Sequence, residues 1–427
     1  MEIQEALNRK KGRVSLHGWV HRERKQKSMI FIILRDSSNI IQCVIKKDEI
    51  PKEQWKEAEK LLTESSVEIE GRIQEDKRAP TGYEVIVSRL KPICIGQPFP
   101  ITKDQSRDFL AEKRHLWLRS RKMTSILKIR STVFGAIHEY FRSSGFYEHH
   151  SPIFQSTQCE GGSTLFPVKY FDKELFLAQT WQLHAEAAIF ALEKIYCIAP
   201  SFRAEKSKTS RHLTEYWHAE MEAAWLDFRG LQDHAEKLMK FIIKKVLSAN
   251  SQELKILQRD TKKLENAVKK PFIRMTYTEA LKVLKENKME VKWGKDLRTI
   301  EEDELMNNYE VPAIVTCYPK EVKAFYMKEN PEDKNTVLGF DVLAPEGYGE
   351  IIGASEREED LEKIKKRLKE EGEDPDDYEF YLDTRRYGSV PHSGFGMGVE
   401  RMIAWICGLD TIKDAIAFPR TMTRCTP

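Results

Sequence analysis

This 427-residue sequence has no paired cysteines, no long apolar run and almost no net charge. Its seven cysteines, Cys43, Cys94, Cys159, Cys197, Cys317, Cys407 and Cys425, form no C-x-x-C pair and have no histidine at a metal-ligating spacing. That argues against a disulfide framework and against a structural zinc site. Apolar runs such as 29–34 are too short to cross a bilayer, and the start, M-E-I-Q-E-A-L-N-R-K-K, has no apolar core for a secretory signal. A reducing, cytoplasmic setting is expected. Gly294 and Lys295 are followed by Asp296 rather than serine or threonine, so the Walker pattern is missing and any nucleotide must be held by side chains. Lysine plus arginine number 70 against 67 acids, a formal net charge of +3, which excludes a strongly basic protein. Contact with nucleic acid would have to come from local patches such as Arg22, Arg24, Lys25 and Lys27.

The length suits two or three domains. Over the first hundred residues, strand-like runs at 14–20, 30–34, 40–45, 67–71 and 84–87 surround a helical segment at 52–62. The order β-β-β-α-β-β is that of an OB-fold barrel, whose open face binds single-stranded nucleic acid. A proline-bearing, charged stretch then reads as a linker. Helical spacing over 124–144 ends at Gly145, a strand-like segment with Pro152 follows, and further helices are expected at 231–249 and 358–371. The highly charged last of these reads as a solvated face. The expected class is α+β, with an N-terminal OB barrel (1–97), a linker (98–122) and an antiparallel-sheet domain (123–427).

Residues 201–220 read S-F-R-A-E-K-S-K-T-S-R-H-L-T-E-Y-W-H-A-E, and 394–401 read G-F-G-M-G-V-E-R ahead of M-I-A-W-I. Arg203 and Glu205 are two apart, so in an extended strand both point to one face, where they can grip a phosphate and an amino-bearing base. Arg401 heads a buried-looking helix and must find a partner, because an unpaired desolvated guanidinium is costly; a ligand is expected to supply it. Singly, each feature has an ordinary explanation: R-x-E is commonly a surface ion pair, and G-x-G-x-G lacks the spacing of the dinucleotide fingerprint.

In combination and order, these segments resemble motifs 2 and 3 of class II aminoacyl-tRNA synthetases (subclass IIb), and the whole chain resembles the asparaginyl-tRNA synthetases of archaeal type. The resemblance implies an enzyme that uses ATP and Mg²⁺ to activate L-asparagine and transfer it to the 3′ end of tRNA(Asn). It implies Arg203 on the α-phosphate and the amino-acid carboxylate, Glu205 on the adenine amino group, and Tyr216 and Arg401 on either side of the adenine ring. Arg203 and Arg401 are then the catalytic pair. His212 is placed toward the β- or γ-phosphate, and Gly398 lies at the same ATP site. Asp341 and Glu350, in F-D-V-L-A-P-E-G-Y-G-E-I-I-G, match the magnesium-binding acids, and hard oxygens beside phosphates are what Mg²⁺ prefers. In-line attack on the α-phosphorus requires positioning and charge stabilisation rather than a general base.

For the amino acid, the resemblance implies Glu160 and Gln182 on the α-amino group, Glu220 accepting from the side-chain amide and Arg357 donating to its carbonyl. An aspartate-specific pocket would carry a lysine where this chain has Ala185. Trp181, His184, Lys208 and Ser210 depart from the usual pattern. In the barrel, Phe31 is implied as the base-stacking aromatic, with Gln42 and Arg24 as contacts to anticodon bases; by pattern alone, Phe31 also fits the core of its strand. A homodimer through the segment around Pro152 is implied as well. Three other readings stay open: an aspartyl-tRNA synthetase, including a non-discriminating one, a synthetase-derived asparagine synthetase, and a non-catalytic RNA-binding factor.

Overall fold

The computed structural model describes residues 1–159, 164–206 and 209–427. It divides into two compact units, Met1–Trp117 and Leu118–Pro427.

In the first unit, strands Gly12–Lys25, Met29–Arg35, Ile40–Lys46, Ser66–Glu75 and Tyr83–Cys94 close a five-stranded barrel, with helix Lys52–Lys60 between the third and fourth. The expected order is present. Alternation does the sorting: the second strand sends Ile30, Ile32 and Leu34 into the core and leaves Met29, Phe31 and Ile33 on the outer face. Phe31 is therefore not a core residue. A short helix, Ile3–Arg9, was not anticipated; it buries Ile3, Ala6 and Leu7 against the barrel. Two further short helices, Arg107–Glu112 and Arg114–Trp117, fall in the stretch expected as linker.

The second unit is built on an eight-stranded sheet in the order Ile273–Thr276, Ala313–Thr316, Gly339–Ala344, Gly349–Glu356, His392–Gly398, Glu215–Ala224, Lys194–Phe202, Tyr147–Glu148. The outermost pairings are parallel and the inner ones antiparallel. Helix Arg121–Ser143 starts earlier than its periodicity because the Ser120 hydroxyl accepts from the Met123 amide. Helix Phe228–Ala249 likewise gains a turn from Asp227, which caps the Gly230 amide. The strand after the first of these is only Tyr147–Glu148; Pro152 lies beyond it, ahead of Phe154–Gln155 in a separate three-stranded sheet. The charged segment forms helix Leu361–Glu370, which buries Ile364 and Leu368 and so is more than a solvated face. Among the described residues no helix is long and apolar enough to cross a membrane.

Candidate active site

The centre of the sheet explains the glycines of G-F-G-M-G. On strand Glu215–Ala224 the side chains of Tyr216, His218, Glu220 and Glu222 alternate onto one face. Directly across, on strand His392–Gly398, Glu222 faces Gly394, Glu220 faces Gly396 and His218 faces Gly398. A Cβ at Gly396 would lie 2.5 Å from the His218 ring, and one at Gly394 would overlap the Glu222 carboxylate. Every second residue is glycine because this face carries polar side chains from the neighbouring strand and leaves room for a ligand above them.

One cavity is lined by Arg203, Glu205, His212, Tyr216, Glu350, Gly398 and Arg401, so the structure brings together all the residues expected at the ATP site. Within it Glu205 faces Arg203 at 3.9 Å and His212 Nε2 at 3.2 Å. Burial, reinforced by Arg401 and Arg203, holds the His212 imidazole below its ordinary range against the pull of Glu205. The guanidinium near the Tyr216 ring is that of Arg203, 5.9 Å from its centroid. Arg401 corrects the expectation of a partner found only in a ligand: its NH1 donates to the Glu350 carboxylate at 3.1 Å and to the Glu350 carbonyl at 2.8 Å.

Asp341 and Glu350 meet above Gly353, on adjacent antiparallel strands. A Cβ built there would lie 3.2 Å from Glu350 Oε1 and 3.7 Å from Asp341 Oδ1. Burial, opposed by Lys323 and aided by Glu350, pushes Asp341 up to about 6. Glu350 is also pushed up by burial, but Arg401, Lys323 and Arg203 outweigh this and hold it below its usual range. Among the described residues no three such groups could hold a metal by themselves. Two oxygens around a space that a side chain would fill nevertheless suit a Mg²⁺ that takes its other ligands from phosphates and water.

Glu220 is buried, accepting from the Thr180 hydroxyl and, at 3.0 Å, from the Trp181 amide. Gln182 Nε2 donates to Glu186 at 2.8 Å. Arg357 is gripped along its Nε and NH2 edge by Glu222, while NH1 donates to Ser355 Oγ at 2.8 Å. Behind them the fully buried Glu186 accepts from Arg385, Tyr381 and His392. Arg385 holds it ionised, well below its usual range, despite burial. Ala185 is fully buried in an apolar cluster with Trp181, Ile189, Ile195 and Cys197, so this position supplies no cation. Trp181 turns its indole N–H to the His149 carbonyl at 2.9 Å, and His184 packs on Phe380. Glu160 and Lys208 lie outside the described residues.

On the barrel, Arg24, Phe31 and Gln42 line one groove with Gln74, Arg78 and Glu84. Arg24 pairs directly with Phe31 across the strands, and Gln42 Nε2 donates to Glu84 at 2.9 Å.

The profile of the tRNA synthetases class II (D, K and N) matches residues 106–422, and that of the OB-fold nucleic acid binding domain matches 14–93. The chain belongs to the class II tRNA synthetases. This synthetase is 50% identical over 415 residues to the asparagine–tRNA ligase of Thermococcus gammatolerans, covering 97% of this chain and 96% of that one. It is 46% identical over 429 residues to the Pyrococcus furiosus asparagine–tRNA ligase, covering 100% and 98%. Its fold matches the crystal structure of asparaginyl-tRNA synthetase from Pyrococcus horikoshii complexed with asparaginyl-adenylate, with a TM-score of 0.96 and 45% identity over 100% of this chain and 99% of that one.

Several residues of the synthetase site were not singled out by its sequence. Arg211, next to His212, reaches Asp303 and the Gly347 carbonyl and lies 3.6 Å from Glu302. Glu302 itself accepts from the Glu350 amide at 3.4 Å. Lys323 lies 2.9 Å from Asp341. Only Glu222 carried a usable signal, its two-residue spacing from Glu220.

Proposed function

We propose that the chain is an asparagine–tRNA ligase: it joins L-asparagine to ATP as asparaginyl-adenylate, releasing pyrophosphate, and transfers the asparaginyl group to tRNA(Asn). The observation that carries this reading is the cavity that unites Arg203, Glu205, Tyr216, Glu350 and Arg401 beside the buried Glu220, in a fold matching one solved with asparaginyl-adenylate. Arg203 spans the α-phosphate and the asparagine carboxylate and holds them for in-line attack. Glu205 takes the adenine amino group, with His212 toward the outer phosphates. The ring lies on Tyr216, and Arg401 covers its other face after exchanging Glu350 for the nucleotide. Asp341 and Glu350 would hold Mg²⁺, which would neutralise phosphate charge in the leaving pyrophosphate.

Glu160 and Gln182 hold the α-amino group. Glu220 accepts from the side-chain amide while Arg357, held by Glu222, donates to its carbonyl. A site built on an acceptor for that N–H rejects a substrate lacking it by roughly 10⁴ or more. In the barrel, Arg24, Phe31 and Gln42 read the anticodon by stacking and edge contacts. The chain works as a homodimer through the region of Pro152, in the cytoplasm, where its free cysteines stay reduced.

The decisive measurement is pyrophosphate exchange with asparagine and aspartate in parallel, with and without tRNA. Exchange with asparagine and not aspartate is expected. Preferred exchange with aspartate would overturn the reading in favour of an aspartyl enzyme.

A further inference from the structure

The two acids above Gly353 are each divided in use. Asp341 gives Oδ2 to Lys323 Nζ at 2.9 Å and turns Oδ1 to the space over Gly353. Glu350 gives Oε2 to Arg401 NH1 at 3.1 Å and turns Oε1 to the same space. Each carboxylate thus has one oxygen on a protein cation and one on the candidate metal position.

Lys323 is firmly installed. Its ammonium lies 4.0 Å from the centroid of the buried Tyr318 ring and 3.8 Å from Asp296. Only 13% of its side chain is exposed. A desolvated lysine at this position is costly unless its charge is used, and Asp341 is the group that uses it.

Asp341 is matched by Lys323 and Glu350 by Arg401, while Asp296 adds one negative charge beside Lys323 and Arg203 one positive charge near Glu350, so three acids meet three cations and these six side chains sum to zero without nucleotide. A divalent cation entering it alone would meet two carboxylates already matched by cations and would be repelled by the ammonium and the guanidinium. The triphosphate of ATP brings the missing negative charge.

We propose that Lys323 is a positioning residue that makes metal binding conditional on nucleotide: by neutralising Asp341 it keeps the acid pair from capturing a divalent cation until phosphates arrive. Arg401 plays the matching part on Glu350. The proposal rests on reading Asp341 and Glu350 as the metal acids.

The test is Mn²⁺ binding by the full-length protein at pH 8, without nucleotide and with α,β-methylene-ATP, an analogue that cannot form adenylate, read as loss of the free-ion electron paramagnetic resonance signal beyond that caused by the same concentration of analogue without protein. Wild type should bind Mn²⁺ at least a hundredfold more tightly with the analogue than without. Lys323→Met, similar in length but uncharged, should bind Mn²⁺ without nucleotide at least tenfold more tightly than wild type, shrinking the nucleotide effect by the same factor. Lys323→Arg, which keeps the charge, should behave as wild type. Equal Mn²⁺ affinities with and without the analogue in wild type would overturn the proposal even if no variant folds. So would a folded Lys323→Met with the wild-type nucleotide-free affinity. Asp341→Asn separates the underlying reading: if it keeps wild-type Mn²⁺ binding in the presence of the analogue, the acids are not the metal site at all.

Discussion

Arg401 holds Glu350 twice through one nitrogen, NH1 donating to both its main-chain carbonyl and its carboxylate. The first contact ties helix Val399–Cys407 to the start of strand Gly349–Glu356, and the second sets the direction of the acid. A lysine ammonium, with three donors, could serve both acceptors but lacks the planar guanidinium proposed to cover the adenine ring. Arg401→Lys is therefore expected to remain folded while its asparagine-dependent pyrophosphate exchange falls at least tenfold, with KM for ATP rising more than KM for asparagine. Equal changes in both KM values would count against its place on the nucleotide.

Arg203 lines the same cavity at 5.9 Å from the Tyr216 ring centroid and has no part in the apolar core. If it aligns carboxylate and α-phosphate, Arg203→Ala should abolish adenylate formation with little change in melting temperature, because lost alignment is worth about 7–11 kcal/mol of barrier in favourable cases. Near-wild-type exchange by a folded variant would remove Arg203 from the chemistry.

Glu302 offers a pH test of stability. Burial, with Glu350 close by, lifts its carboxyl from 4.5 to about 8, while Arg401 and Arg211 pull the other way. The folded protein keeps this proton to about pH 8 and the unfolded chain loses it near the ordinary value of 4.5. The unfolded state thus binds fewer protons in between, and this group makes folding less favourable as pH rises through that window. Glu302→Gln, always neutral, should melt near wild type at low pH and above it at pH 8.5, by an amount on the order of 2–4 kcal/mol at most. A difference in melting temperature that does not change with pH would show that burial of Glu302 is not the cause.

On the barrel, Phe31 stands on the outer face opposite Arg24, out of the core formed by Ile30, Ile32 and Leu34. Removing its ring costs little stability but takes away a stacking surface worth about 1–3 kcal/mol per base. Phe31→Ala is expected to raise KM for tRNA(Asn) roughly tenfold or more and leave tRNA-independent exchange unchanged. A parallel fall in exchange would mean that the barrel does more than hold tRNA.

The barrel was legible because alternation and turn residues are local signals; each predicted strand is present, although the first runs on to Lys25 and the last to Cys94, five and seven residues past the expected ends. Helix Ile3–Arg9 escaped notice although Ile3, Ala6 and Leu7 carry helical spacing, since a seven-residue helix gives that pattern too few repeats. Arg203, Glu205, His212, Tyr216 and Arg401 were legible through their motifs. Their partners were not: the pairing of Lys323 with Asp341 and of Arg211 with Glu302 joins separate elements, and no spacing in the chain announces it. Ala185 shows a further limit. The family resemblance marks it as the place for an aspartate-binding cation, but its side chain is sealed among Trp181, Ile189 and Cys197, so a lysine there would be buried and destabilising before it could alter selectivity.

Selectivity itself turns on Glu220. Its carboxylate accepts from the Thr180 hydroxyl and the Trp181 amide, which fixes its orientation from behind and leaves further lone pairs for an N–H of the substrate. In Glu220→Gln the carbonyl can still accept from the Trp181 amide, and the new NH₂ can turn to the Thr180 hydroxyl, which accepts as readily as it donates. The fold should therefore tolerate the change. What disappears is the negative charge that repels a substrate carboxylate and the strength of the acceptor for the asparagine amide. The preference for asparagine over aspartate, measured as the ratio of kcat/KM values in pyrophosphate exchange, should fall by about 1–3 kcal/mol, roughly the cost of one poorly satisfied buried polar group. The loss should come from a weaker asparagine reaction together with a stronger aspartate one. A ratio equal to wild type in a folded variant would show that Glu220 only braces Thr180 and Trp181, and that the side chain of the amino acid is read elsewhere in the pocket.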